Sequence, residues 1–493
     1  VAEPSDRCPS ACPLNERRTP VETRSVNFSD FVSVIASARS SGELDEITRN
    51  IGHEVSENRI TDTEACELSE SIEARRVALR ATRKSDGFFA VDLGAFRCAA
   101  VGGINSTVAH LIMARGTGRD NCTTQWSTHS IEQRTGISRP NAAKAVADLL
   151  NRGIWKRVRD GKHPIYEVVP GNEIPGGPFT LEEQTAIAAI RDGKSPPKSE
   201  VCETLEARGI VKVNITQEYI PFGRRKYSEV KSYDLDQAAI AALTKPLAVW
   251  LPNALIDGAA DEVSPVELLR QTRGLPALRL LIELYAVQFL PNYGGVPREL
   301  LQVVFDRAKI GEQGPFVVWA FKPKHTEASR DLAGQFLTGQ FTKRPDGKRH
   351  DAGWDVSFWP AVNTLTELGL VELVGMVLDG GDAEAEIIHP YAARGGEPAE
   401  RALAKAAFSA AGTMVTAGQL DGAEAWAEGS GPNLVPVRRH ITNAAMVEIF
   451  RLKYRPHTTA TAAWYALMQQ TTAEYLNHYK AMTKDGAAAT SAA

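Results

Sequence analysis

Residues 126–169, WSTHSIEQRTGISRPNAAKAVADLLNRGIWKRVRDGKHPIYEVV, constrain the fold more than any other part of the chain. They read as a short helix, a tight turn, a longer helix and a two-stranded hairpin. Ser127 or Thr128 can open the first helix, with Ile131 as its first inward apolar position. Gly136 suits the turn, because a residue without a Cβ reaches left-handed backbone angles at no steric cost. Ser138 stands where the N-cap of the second helix belongs, its hydroxyl placed to accept from a free backbone N–H. Ala142, Val146, Leu149 and Leu150 recur at helical spacing, and Gly153 falls at a left-handed C′ position. Residues 154–158 and 165–169 are β-rich runs around the turn Asp160-Gly161-Lys162.

That order is the layout of a winged helix-turn-helix, and its charges suit DNA. Ser138, Arg139, Asn141 and Lys144 lie at the start of the second helix, from which side chains reach base edges in a major groove. Arg can bridge guanine O6 and N7, and Asn can pair with adenine N6 and N7. Lys156, Arg157, Arg159, Lys162 and His163 crowd the hairpin, where they can grip the phosphate backbone. The block GISRPNAAKAVADLLNRGIWKRV resembles the recognition unit of bacterial winged-helix regulators of the gluconate-repressor type. Upstream, NSTVAHLIMARGTGRDNCTTQWS resembles the first helix and leading strand of the DNA-binding domains of phage and plasmid replication proteins. These resemblances imply double-stranded DNA as partner, with a second copy or the replication or transcription machinery beside it.

Composition narrows the remaining classes. A chain of 493 residues with 43% apolar and 24% charged residues is ordinary for a globular protein of about three or four domains. Its net charge of −4 excludes a histone-like coat, so any DNA contact must come from local patches. No run of about twenty apolar residues suggests a membrane span. The polar start VAEPSDRCPSACPLNERR lacks the apolar core of a secretory signal, and six irregularly spaced cysteines fit a reducing compartment. The expected location is cytoplasmic, at the nucleoid. Cys8 and Cys12 form a lone C-x₃-C with no second pair, so no metal site is expected, and no cofactor.

In chain order, 1–27 reads as a flexible leader and 28–90 as a helical region. Within the latter, Thr61-Asp62-Thr63-Glu64 forms a capping box opening a helix to about Lys84. Residues 91–170 are the winged helix-turn-helix. A second such unit is expected at 178–240, where LEARGIVKV repeats the form of LLNRGIWKRV. Its helix holds Glu200, Glu203 and Glu206, which would repel phosphate. A third is expected at 250–392, with LTELGLVELVG carrying the same helix–Gly–strand signature. In that unit 297–305 reads as a helix, and the basic insertion at about 309–354 brings Lys343, Arg344, Lys348 and Arg349, which could follow a phosphate backbone. Residues 393–493 read as an Ala-rich linker followed by helices, including 446–454. The expected fold is therefore mainly α with small β-hairpin wings, a tandem of winged helix-turn-helix units.

Catalytic patterns are absent from the sequence: there is no GxxxxGK[ST] phosphate loop, no GxSxG elbow and no His pair at metal-ligand spacing. The expectation is a binding protein rather than an enzyme. It is a sequence-specific duplex DNA binder of the replication-initiator kind, with a transcriptional regulator or a protein-interaction scaffold as the alternatives.

Overall fold

The computed structural model describes residues 31–32, 34–35, 41–56, 61, 64–65, 67–69, 71–72, 87–161, 163–196, 198–219, 227–258, 263–289, 293–329, 332, 357–418, 433–455 and 459–491. The chain divides into two units, 1–79 and 80–493. In the first, helix α1 (Ser41–Ser56) buries Ile47 and Ile51 against Phe31, Ile35, Leu68 and Ile72. Thr61 and Glu64 exchange the two hydrogen bonds of a capping box, Glu64 N–H to Thr61 Oγ1 at 3.2 Å and Thr61 N–H to Glu64 Oε2 at 2.9 Å.

The second unit opens with strand β1 (Phe88–Asp92), whose last residue caps α2 (Leu93–Val101) through Asp92 Oδ1, 2.7 Å from the Ala95 N–H. Helix α3 (Ile104–Arg115) is buried along nine of its residues, from Ser106 to Ala114. After the short strand β2 (Thr123–Thr124) come α4 (Thr128–Thr135), α5 (Arg139–Asn151), β3 (Trp155–Arg159) and β4 (Ile165–Val168). The three strands form one small sheet in the order β2-β4-β3.

A second helix–helix–hairpin follows: α6 (Leu181–Arg191), α7 (Ser199–Ala207), β5 (Val211–Tyr219) and β6 (Tyr227–Leu235). Its hairpin is an isolated two-stranded ribbon, and its helices close over a small core of Phe179, Ile187, Ile190, Leu205 and Ile210. Helix α8 (Gln237–Thr244) leads back to β7 (Ala248–Pro252), which pairs antiparallel with β1. Two short helices, α9 (Ala254–Asp257) and α10 (Pro265–Gln271), precede the apolar α11 (Leu275–Val287).

The remaining chain overturns the mainly helical, tandem winged-helix expectation. Six strands make one antiparallel sheet curled into a half-barrel. They are β8 (Leu301–Gln313), β9 (Phe316–Ala328), β10 (Val371–Leu378), β11 (Ile387–Tyr391), β12 (Asn433–Arg438) and β13 (Ala445–Leu452), in the spatial order β11-β10-β13-β8-β9-β12. The expected helix at 297–305 is largely the start of β8, where Leu301, Val303 and Phe305 alternate into the core in the two-residue period of a strand. The expected helix at 446–454 is β13, a central strand buried on both faces, and such a run lacks the alternation that betrays a strand. LTELGLVELVG does form helix α12 (Phe358–Glu367) and a strand, but that strand is β10, paired on both sides within the large sheet. Among the described residues this helix and strand belong to the large sheet and not to a separate winged helix.

The Ala-rich stretch is likewise not a linker over its first half. Helix α13 (Pro398–Gly418) lays Leu403, Ala404, Ala407, Ala410 and Ala411 against the sheet, small side chains allowing close approach. The last helix, α14 (Thr459–Ser491), packs along α13 and buries Thr472 and Tyr479. A charge knot closes this region: fully buried Arg451 of β13 meets Glu372 at 2.7 Å and Glu400 at 2.7 and 2.8 Å. Burial opposes the Arg451 charge, but the two carboxylates outweigh it and hold the guanidinium protonated beyond its ordinary range. No helix of the described residues is long and apolar enough to cross a membrane.

Candidate nucleic-acid interface

The sequence-expected site falls on α4, α5 and the β3–β4 hairpin. Gly136 closes α4 in the left-handed region at φ 60°, ψ 12°, which lets the chain turn at once into α5. Ala142, Ala145, Val146 and Leu149 bury one face of α5 against α3 and α4. The opposite face holds Ser138, Arg139, Asn141 and Lys144, all exposed. Among the described residues, Arg139, Asn141 and Lys144 have no hydrogen-bond or ion-pair partner. Ser138 is the N-cap residue, yet its hydroxyl makes no capping hydrogen bond, contrary to the expectation from its position.

On the hairpin, Lys156 pairs across the strands with Glu167 at 3.0 Å and Arg157 with Asp160 at 3.0 Å. Both pairs are exposed, and such contacts contribute only about 0–1 kcal/mol, so a phosphate can displace either carboxylate. Arg157 also lies over the Tyr166 ring at 5.7 Å, and Arg159 donates to the His163 carbonyl at 3.3 Å, with the His163 side chain exposed. Lys162 lies outside the described residues, as do Lys343, Arg344, Lys348 and Arg349. Lys322 and Lys324, which fall within the bounds of the expected insertion at about 309–354, belong to strand β9.

Rigid supports hold this surface. Trp155 is buried beneath the hairpin, and its Nε1–H donates to His110 Nδ1 at 3.0 Å, tying β3 to α3. Burial pushes the His110 pKa down to about 3, so the ring is a neutral acceptor. Ser106 donates to Asp148 at 2.7 Å, tying α3 to α5. Asp257 of α9, almost fully buried, faces Arg115 at the end of α3 at 2.8 Å and Arg134 of α4 at 3.4 Å. Both guanidiniums lie against the ring of Trp126, Arg134 at 3.7 Å and Arg115 at 5.6 Å from its centroid. The close fit explains Gly116, where an added Cβ would stand 2.3 Å from the Trp126 ring.

No protein family, no curated protein and no solved structure matches this chain. Its functional reading therefore rests on its own side chains. The Trp126–Arg134–Asp257 clamp is a part of the site that local sequence reading missed. Arg115, Trp126 and Arg134 are close in sequence, but the carboxylate that orders them lies 142 residues beyond Arg115.

Elsewhere, an open groove of about 1090 Å³ lies on the six-stranded sheet, lined by Arg298, Asp306, Arg307, Lys322, Glu327 and Asp382 among others. Its charges are mixed, and its arginines are committed: Arg298 donates to the Ala385 carbonyl at 3.0 Å and Arg307 to the Ala444 carbonyl at 2.9 Å. The acidic residues of α7 stand out in contrast, with Glu200 and Glu206 exposed. A second buried charge set joins α2, α11 and the α6–α7 pair. Arg97 meets Glu283 at 2.7 and 2.8 Å, and Arg208 meets Glu183 at 2.7 Å. Arg279 lies in the same field; burial pushes its pKa down to about 10, against the pull of Glu283.

Proposed function

We propose that this chain is a sequence-specific double-stranded DNA-binding protein whose recognition helix is α5. The observation that supports this is the free polar face of α5: Arg139, Asn141 and Lys144 project from a helix whose other face is immobilised. Arg115 and Arg134, on the frame behind it, are held by Asp257. A rigid helix bearing unpartnered donors beside a basic hairpin suits base reading by the helix and phosphate contact by the hairpin. In this reading Arg139 and Asn141 meet base edges, and Ser138 and Lys144 meet base edges or the adjoining phosphates. Lys156, Arg157, Arg159 and His163 meet phosphates.

The likeness of 105–127 to phage and plasmid replication proteins favours an initiator of replication over a transcriptional regulator. With it come a nucleoid location in the cytoplasm and contacts with a second copy or with the replication machinery. The test is selection of bound fragments from random duplex DNA, followed by footprinting and titration of Arg139→Ala and Asn141→Ala. Each variant is expected to cost roughly 1–3 kcal/mol at the selected site and to relax preference at one base position. Replication of an origin-bearing plasmid with and without the protein then separates initiator from regulator. A wild-type chain that selects no duplex sequence overturns the proposal in favour of a protein-binding scaffold.

A further inference from the structure

Helices α9 and α10 lie more than a hundred residues beyond the recognition helix in sequence, yet they pack against α3 and α4, which support it. Asp257 of α9 anchors Arg115 and Arg134, and Val266 and Leu269 of α10 are buried in the core that contains Ile131 and Ile137. Arg270 follows Leu269. Its Nη2 lies 3.7 Å from the position a Cβ on Gly136 would take, so the guanidinium stands at the turn between α4 and α5. Its Nε is sealed from solvent and has no hydrogen-bond partner. Among the described residues no carboxylate pairs with it. Glu267, one turn earlier on the same helix, accepts from Gln271 Nε2 at 3.2 Å instead.

This arginine differs from its neighbours in the body. Arg97, Arg115, Arg134 and Arg208 are each drawn out of water and each faces a carboxylate. A partly desolvated guanidinium with no counter-anion is costly, because it has lost hydration without gaining a partner. The cost is relieved when an anion of matching geometry arrives, and a phosphate accepts two parallel N–H bonds from the guanidinium fork. Standing at the turn that leads into α5, Arg270 is placed to meet the backbone of the duplex whose bases α5 reads.

We propose that Arg270 is a phosphate-contacting residue of the DNA surface, so that the DNA-binding module comprises α9 and α10 as well as 88–169. This rests on the DNA-binding reading above. The test uses the full chain and fragments carrying its selected site, with binding titrated over a range of salt and folding followed by thermal melting. Arg270→Gln is expected to weaken binding to all sequences alike by roughly tenfold. The slope of log affinity against log salt should fall by about one unit, with a melt no lower than that of wild type. Arg270→Lys, which keeps the charge, should keep the wild-type slope.

If Arg270→Gln leaves affinity and slope unchanged while Arg157→Ala lowers both, the inference fails and the DNA-binding reading stands. An Arg270→Gln variant with an altered melt or altered sequence preference but a wild-type slope also overturns it, since Arg270 would then act only by positioning the turn. A wild-type chain that binds no duplex removes the underlying reading, and this inference with it.

Discussion

Two regions of the body are built in the same chain order and turn opposite charges to the solvent. In 128–168 and in 181–235, two helices are followed by a Gly-ended turn and a hairpin, and the joints LLNRGIWKRV and LEARGIVKV are nearly the same phrase. Helix α5 presents Arg139, Asn141 and Lys144, whereas α7 presents Glu200 and Glu206. The first hairpin gains a third strand and sits on buried Trp155; the second is a free ribbon of two nine-residue strands. The helix–Gly–strand signature thus sets a local path for the chain. What that path offers a partner is written on the exposed positions, which the core leaves free to vary.

The sharpest way to break this contrast is to give α5 the sign of α7. Arg139→Glu combined with Lys144→Glu is expected to cost at least about 3 kcal/mol of binding, more than a hundredfold in a titration. Glu200→Gln with Glu206→Gln should leave affinity where it was. Affinity within twofold of wild type after the reversal would remove α5 from the DNA face.

The supports behind the two regions should separate in a similar way. Asp257→Asn removes the carboxylate that faces both Arg115 and Arg134, which should lower stability by on the order of 3 kcal/mol and weaken DNA binding as well. Glu183→Gln leaves Arg208 similarly stranded and should lower the melt with DNA affinity retained. Equal losses of affinity in both variants would mean that the second region also engages DNA.

Acid should act on the support of the first region, through His110 of α3 beneath Trp155, whereas 181–235 contains no histidine. Burial pushes the folded-state pKa down to about 3, so below the ordinary value of 6.5 the unfolded chain takes up a proton that the folded one refuses. The stability contributed by neutral His110 is therefore complete above about pH 6.5 and is lost as the pH falls toward 3. Melting midpoints should fall over that window, and His110→Gln should flatten part of the fall. His389 in the large sheet, pushed down to about 4 by burial, adds to the fall. A pH profile identical in His110→Gln and wild type would contradict this assignment.

The smallest expected effects are on the wing. Lys156→Ala, Arg157→Ala and Arg159→Ala should each flatten the salt dependence by roughly one unit without changing sequence preference. Lys212→Ala and Lys231→Ala on the second ribbon should not alter it. A wing variant that shifts preference at constant slope would place that residue among the base readers.

The helix boundaries around the candidate site were legible because their signals are local. Gly136 needs a left-handed angle, Ala142 and Val146 keep a helical period, and Trp155 begins a β-rich run. The fold of 297–452 was not legible in the same way. Residues 297–305 include good helix formers, and 446–454 space Glu448 and Arg451 three apart, as a helix does, so neither shows a strand until its partners are known. The same signature that turns into a small hairpin at Gly153 turns into a strand of a six-stranded sheet after Gly369, because β13 arrives from far along the chain to pair with it on the side away from β11.

The residues alone therefore determined where the chain turns near the candidate site and which side chains are polar on α5, because propensity, period and glycine geometry act within a few residues. Tertiary structure decided which cations are already neutralised and which remain open to an anion. That choice depends on Asp257, Glu283 and Glu183 reaching arginines on other elements, and on Arg270 standing at Gly136 with no carboxylate of the described residues paired with it. Electrostatic pairing falls off over a few ångströms in space, and separation along the chain does not enter it.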